Sequence, residues 1–324
     1  MVIIAGIPAL CDLEDTVHSL MERSLRLNTR RTYNSAQKRY LEFCHTYKLI
    51  PLPANEQVLL LYVAFLYTQG LTHSTVQVYL AAVRSLHVFQ GYGNPLEACL
   101  RLKQVVKAVH IESAPVNQKL PITFDIMSKL QTVVSNFSDG TMLWCAMLLA
   151  FFGCMRASEF TVNAAFDKSI HICVSDVSLI DSHIPHAIVF VKKSKTDIYN
   201  KGVSLYIGCT SNPILCAHCS LRQVVVGRSS ESPLFMFTNG SPLSKYVFVR
   251  ATRLALSLLG YPSHQYSGHS FRAGAATTAA SVGMSGHEIQ LLGRWRSNAY
   301  VRYIRSPINL LCSFAPRLSK SEHY

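Results

Sequence analysis

The segment MLWCAMLLAFFGCM, residues 142–155, is apolar on every side and is followed at once by Arg156. A helix without a polar stripe has to be wrapped by other protein or by lipid. The run is shorter than the roughly 18–20 residues that a membrane span needs. It therefore reads as a central core helix around which neighbouring elements pack, and no membrane association is expected. An arginine at its end is costly to bury without a partner. Glu159, three residues on, can be that partner at helical spacing.

Upstream, residues 28–110 read as four helices. Asn28 or Thr29 caps the first, Asn55 opens the second and Gly70 ends it, and Thr72 or Ser74 opens the third, which Gly91 ends. Asn94-Pro95 places a cap and a first-turn proline before a fourth helix that runs to about His110. Residues 1–27 form an N-terminal extension whose apolar start, MVIIAGIPAL, lacks the basic region of a signal peptide. Residues 111–121, IESAPVNQKLP, carry two prolines and little periodicity, which marks a linker.

Beyond the linker, Thr123 can cap a helix leading to the apolar run. Then HICV, AIVFVKK and VSLYIG, short and β-branched, predict a small sheet over 170–207. Helices resume at about 213–226, 243–259, 269–283, 286–293 and 297–305. The expected fold class is mainly α with a small antiparallel β-sheet, in two domains.

Hydrophobic residues make up 49% of the 324 and charged residues 15%, so a large core can form. The net charge of +13 is spread over both halves, and this favours a polyanionic partner over a merely basic enzyme. The ten cysteines are scattered, several in apolar helices such as Cys44, Cys145 and Cys154. That pattern suits reduced thiols in an intracellular, reducing compartment. Cys209, Cys216, His218 and Cys219 are metal-ligating types. They lack a second paired half to close a tetrahedron, so they read as a cysteine-rich turn and no metal is expected.

The remaining polar groups are individually unremarked: Lys192, Lys193 and Lys195 near a hairpin tip, His269 and Arg272 one helical turn apart in HSFR, Trp295 after Arg294, then Tyr300 and Tyr303. Each alone is most simply a solvated turn, a helix face or core packing. Their order is more specific. Arg, Lys, His-x-x-Arg, Trp, Tyr resembles the tyrosine recombinase (phage integrase) family. SGHSFRAGAA is similar to its His-x-x-Arg helix, and LLGRW followed by YIR to the stretch seen in Cre. NPILCAHCSLRQVV and the LGRW ending are most similar to eukaryotic mobile-element members of the Crypton or DIRS/Ngaro type.

The resemblance implies a two-domain architecture: a helical, SAM-like core-binding domain at 28–110, a mixed α/β catalytic domain at 122–315 and a tail at 316–324. It implies that Arg156, Lys195, His269, Arg272, Trp295 and Tyr303 are catalytic, with Glu159 supporting. The implied partner is double-stranded DNA, held by a homotetramer on paired sites, with no small-molecule substrate, in the nucleus if the host is eukaryotic. Spacing in the family favours Tyr303 over Tyr300 as nucleophile, because Tyr303 lies eight positions after Trp295 and Tyr300 only five.

Such a set is chemically intelligible without a cofactor. Two guanidiniums offer bidentate donors to the non-bridging oxygens of a phosphodiester as negative charge grows there. A histidine can take the tyrosine proton and a hairpin lysine can protonate the leaving 5′ oxygen. A covalent 3′-phosphotyrosine would conserve the bond for religation. No Walker A pattern or acidic pair for two magnesium ions occurs, so neither ATP nor metal is expected in the chemistry. Two alternatives are a non-catalytic DNA-binding derivative of a recombinase and a type IB topoisomerase-like enzyme.

Overall fold

The structure is a computed structural model and describes residues 9–114, 118–195, 197, 199–304, 312 and 315. The chain divides near residue 116 into two compact units. No helix among the described residues is long and apolar enough to cross a membrane.

The first unit is helical: α1 (Leu10–Ser24), α2 (Leu27–Thr46), α3 (Glu56–Thr68), α4 (His73–Phe89) and α5 (Leu100–Glu112). Tyr40, Phe43, Leu59, Tyr62, Leu66 and Val83 form its core. As expected, Asn55 caps α3, its side chain accepting from the Val58 N–H at 2.9 Å. One helix is additional and one expectation fails. The extension contains α1, whose Leu10, Leu13, Val17 and Leu20 follow helical spacing, although none of its residues is buried. The last helix starts at Leu100 rather than Pro95. Asn94 Oδ1 accepts from Leu96 N–H and closes a turn instead. The start of α5 is set from a distance: the Glu56 carboxylate accepts from the N–H groups of Arg101 (2.8 Å) and Leu102 (3.2 Å).

The second unit is mixed. Its helices are α6 (Phe124–Val134), α7 (Gly140–Phe152), the single turn α8 (Ala157–Phe160), α9 (Ala217–Val225), α10 (Lys245–Leu258), α11 (Ser270–Ser281) and α12 (Gly286–Gly293). Strands β1 (Val177–Ile180), β2 (His186–Val191) and β3 (Val203–Gly208) form one antiparallel sheet in the order β1-β2-β3. Val189 pairs with Val177 on one side and Leu205 on the other. Ala187, Val189, Val191, Leu205 and Ile207 face the core while Tyr206 faces solvent, the alternation expected of a sheet covered on one face.

The apolar run is the rod it promised to be. From Met142 to Phe151 every residue of α7 is buried, and each large side chain there contributes roughly 1.5–3 kcal/mol. HICV does not form a strand. The Asp176 carboxylate accepts from Cys173 N–H at 2.7 Å and draws Val174–Asp176 into a 3-10 turn, so the sheet begins at Val177. The small residues of α11 allow close backbone approach: a Cβ on Gly274 would collide with the Ile122 backbone. Ile122 N–H donates to Ser270 O at 2.9 Å in the same contact.

Candidate active site

The site is assembled at the C-terminal end of α7. Cys154 takes a left-handed conformation (φ 45°) and Arg156 an extended one, which turns the chain into α8. The carbonyl ends of such a helix attract cations. Arg272 Nη1 donates to Cys154 O and Nη2 to Gly293 O. Arg294, itself left-handed (φ 54°), donates to Gly153 O (3.4 Å) and Cys154 O (3.5 Å).

Glu159 ties two of these arginines. Its Oε1 lies 2.8 Å from Arg156 Nη1, and its Oε2 lies 3.1 Å from both Arg294 Nη2 and Arg156 N. The Glu159 side chain is 1% exposed and those of Arg156 and Arg294 are 15% and 20%. The expected Arg-Glu pair at i,i+3 therefore exists, with Arg294 as a third member. Arg294, which the sequence left without a definite role, is thereby anchored to the Glu159 carboxylate that also holds Arg156.

Arg272 is completely buried, and among the described residues it hydrogen-bonds only neutral carbonyls. Its Nε has no partner. Burial pulls its pKa down from the usual arginine value. Such a cation is expensive unless an anion completes its surroundings. The Trp295 ring lies 4.2 Å from its guanidinium carbon, and the Tyr303 ring 5.9 Å. Trp295 also packs on Gly293, where a Cβ would collide with the indole.

Both tyrosines flank Trp295, Tyr300 at 6.2 Å and Tyr303 at 5.3 Å between ring centroids. The expected helix over 297–305 is a 3-10 helix from Asn298 to Arg302, capped by Ser297, with Tyr303 at its end. Its three-residue repeat eclipses positions 300 and 303, so both rings meet the same indole. The two hydroxyls nevertheless differ in setting. That of Tyr300 occupies the space beside Gly286 at the start of α12.

His269 sits surface-accessible at the N-cap of α11. Partial burial of its ring lowers its pKa, and the nearby positive charges of Lys245, Arg156, Arg272 and Lys195 lower it further. Lys245, at the start of α10, is a basic neighbour the sequence did not single out. Lys195 lies exposed on the β2–β3 hairpin, whereas Lys192 is bound to Asp176 at 2.6 Å. The structure thus gathers Arg156, Glu159, Arg272, Trp295 and Tyr303 through direct contacts or shared partners. Lys195 and His269 join them through charge.

The His269 environment has a measurable consequence. In the free protein His269 should titrate below 6.5, remaining neutral where an ordinary histidine is half charged. Below that pH the unfolded chain takes up the proton first, so His269 subtracts stability as pH falls from 6.5 toward its folded value. Ring-proton NMR titration checks this, and Lys245→Gln should move the midpoint upward. A wild-type midpoint at or above 6.5 would contradict the described surroundings.

Residues 17–90 match the family model described as phage integrase, N-terminal SAM-like domain. Over 306 residues the chain is 23% identical to an integrase/recombinase XerD homologue of Selenomonas ruminantium, covering 88% of this chain and 83% of that protein. Its fold is similar to the XerH site-specific recombinase bound to palindromic difH substrate in a post-cleavage complex. That match has a TM-score of 0.64 and 13% identity, over 90% of this chain and 80% of the other. It is also similar to lambda integrase residues 75–356, a dimer bound to a COC′ core site. Here the TM-score is 0.59 and the identity 17%, over 91% and 95% of the two chains. The helical unit followed by a mixed unit with a three-stranded antiparallel sheet is the architecture of these tyrosine recombinases. The chain is thus similar to tyrosine recombinases, or phage integrases, in the domain matched by residues 17–90, in one relative over most of its length and in its fold.

Proposed function

We propose that the protein is a site-specific DNA recombinase or integrase that cuts and rejoins DNA through a 3′-phosphotyrosine, in the service of mobile-element integration. The observation that carries this reading is the cationic cluster built on α7. Arg156, Arg272, His269, Lys195 and Lys245 converge there, and Glu159 is the carboxylate among them.

A scissile phosphate placed against Arg156 and Arg272 receives guanidinium donors at its non-bridging oxygens. The Tyr303 hydroxyl attacks phosphorus and passes its proton to His269, which is neutral and able to accept it. The P–O5′ bond breaks and Lys195 protonates the departing 5′ oxygen. Attack of a 5′ hydroxyl on the phosphotyrosine reverses the step and frees Tyr303. The Trp295 ring holds the Arg272 plane, and Glu159 holds Arg156 and Arg294. No step calls on ATP or a bound metal.

The working assembly in this proposal is a homotetramer on paired duplex sites. The apolar tail SPINLLCSFAP, a candidate for contact between subunits, lies outside the described residues except for Cys312 and Ala315. Likeness to eukaryotic mobile-element recombinases motivates the integration role, with nuclear action where the host is eukaryotic.

The test is a duplex carrying the element's end and a nick beside the cleavage site, so that the released 5′ fragment diffuses away. A covalent protein–DNA adduct should accumulate without added nucleotide or divalent metal, and DNA binding should weaken steeply as salt rises. Binding without adduct would favour a non-catalytic derivative. Relaxation of supercoils without two-site recombination would favour the topoisomerase-like alternative.

A further inference from the structure

Away from this site, four potential ligands meet where the sheet adjoins α9. Cys209 directly follows β3, Cys216 is the N-cap of α9, and His218 and Cys219 lie in its first turn. Their ligand atoms all fall within 4.8 Å of one another. Cys209 Sγ is 3.4 Å from Cys216 Sγ and 3.8 Å from Cys219 Sγ. A tetrahedron with zinc–sulfur bonds of about 2.3 Å has edges of about 3.8 Å between sulfurs. The observed separations match that edge and far exceed a disulfide bond, which is about 2.05 Å.

Three further features suit a cation. Cys216 Sγ accepts backbone N–H groups from Thr210 (3.4 Å) and Cys219 (3.5 Å), donors that stabilise a thiolate. The His218 side chain is 5% exposed, yet neither ring nitrogen has a hydrogen-bond partner. An imidazole buried in this way is paired in most proteins. Asp181, held by Arg222, stands 3.5 Å from His218 Nε2 and is placed to accept the ring N–H that metal ligation leaves. The sequence offers these same four residues but no second paired half, and so no metal is expected from it; the structure brings all four ligand atoms together, with Cys209 coming from the end of a strand.

We propose that Cys209, Cys216, His218 and Cys219 bind one zinc ion tetrahedrally and thereby clip the end of β3 to the first turn of α9. Thiolate ligands with one imidazole in four-coordinate geometry select zinc over the hard cations magnesium and calcium. Because α9 packs on α7 and β3 carries one arm of the Lys195 hairpin, the clip braces two of the elements that position the active site. Its role is structural, and it stands whether or not the recombinase reading holds.

Tag-free protein purified under a non-metal reductant should carry about one zinc ion per chain by elemental analysis. Cobalt(II) in its place should give the intense visible bands of a tetrahedral thiolate site. A mercurial thiol reagent should release the zinc, and the stripped protein should melt at lower temperature until zinc, but not magnesium, is returned. Cys216→Ser with Cys219→Ser should lose the metal, and Cys11→Ser should keep it. Because wild-type protein supplies the first three readouts, the test survives a variant that fails to fold. Fully reduced wild-type protein with neither zinc nor a tetrahedral cobalt spectrum would overturn the proposal. So would full zinc retention in the double variant.

Discussion

Replacing Arg156 with alanine should slow strand cleavage by about 100- to 1,000-fold, or roughly 2.7–4 kcal/mol, the scale of removing one preorganised donor from an anionic transition state. DNA affinity should change far less, because it draws on the wider basic surface behind the +13 charge. Arg156 is suited to this measurement. One guanidinium nitrogen is committed to Glu159, and the others have no partner among the described residues. Those donors are available to phosphate; truncation also takes the partner of buried Glu159 Oε1, while Arg294 and the Arg156 N–H keep Oε2, so a melting temperature accompanies the kinetics. Single-turnover cleavage beside a binding titration separates the two effects. Near-wild-type cleavage by Arg156→Ala would remove this residue from the chemistry.

Arg272 cannot be probed the same way. It satisfies Cys154 O and Gly293 O inside the protein, and each carbonyl left unpaired would cost about 1–3 kcal/mol. Truncation there conflates folding with catalysis. The same residue thus braces α7 against the end of α12 and presents charge beside Tyr303. Arg294 braces the same carbonyl and Glu159, so the guanidiniums are fixed by neutral carbonyls and one shared carboxylate before any phosphate arrives. Rigid donors of this kind need no reorganisation in the transition state.

What the sequence disclosed was local. The all-apolar run forced α7 into a core, and the three-residue interval between Arg156 and Glu159 anticipated their ion pair. The cap of α3 was equally legible because Asn55 and Val58 lie within one turn. Failures came where distant partners decide. Glu56 fixes the start of α5 across 45 residues, and Glu159 captures Arg294 across 135. Lys245 enters the His269 environment only when α10 and α11 are juxtaposed. The miss at α1 was different in kind: the spacing of Leu10, Leu13, Val17 and Leu20 was visible, but those residues face solvent and so give no core to infer. The HICV segment shows a side chain overriding propensity, since the Asp176 carboxylate competes successfully for the Cys173 N–H.

Tyr303→Phe should abolish the covalent adduct on a nicked duplex, whereas Tyr300→Phe should retain it. The 3-10 repeat gives both rings similar packing on Trp295, so packing does not distinguish them, and each phenylalanine preserves it. Their hydroxyls do distinguish them. Tyr300 turns its hydroxyl to the backbone at Gly286, a place where even a methyl group would collide. Tyr303 instead places its ring 5.9 Å from the Arg272 guanidinium. Its backbone is anchored as well, its carbonyl accepting from Thr277 Oγ1 at 3.2 Å. An attacking oxygen gains most from being held in line with phosphorus and near the charge that stabilises the transition state. Removing one hydroxyl leaves that geometry and the fold unchanged while deleting the atom that forms the bond. Unaltered melting temperature with complete loss of adduct is therefore the expected signature at position 303. Retention of adduct by Tyr303→Phe together with its loss in Tyr300→Phe would reverse the assignment, and adducts in both variants would move the phosphotyrosine to another residue.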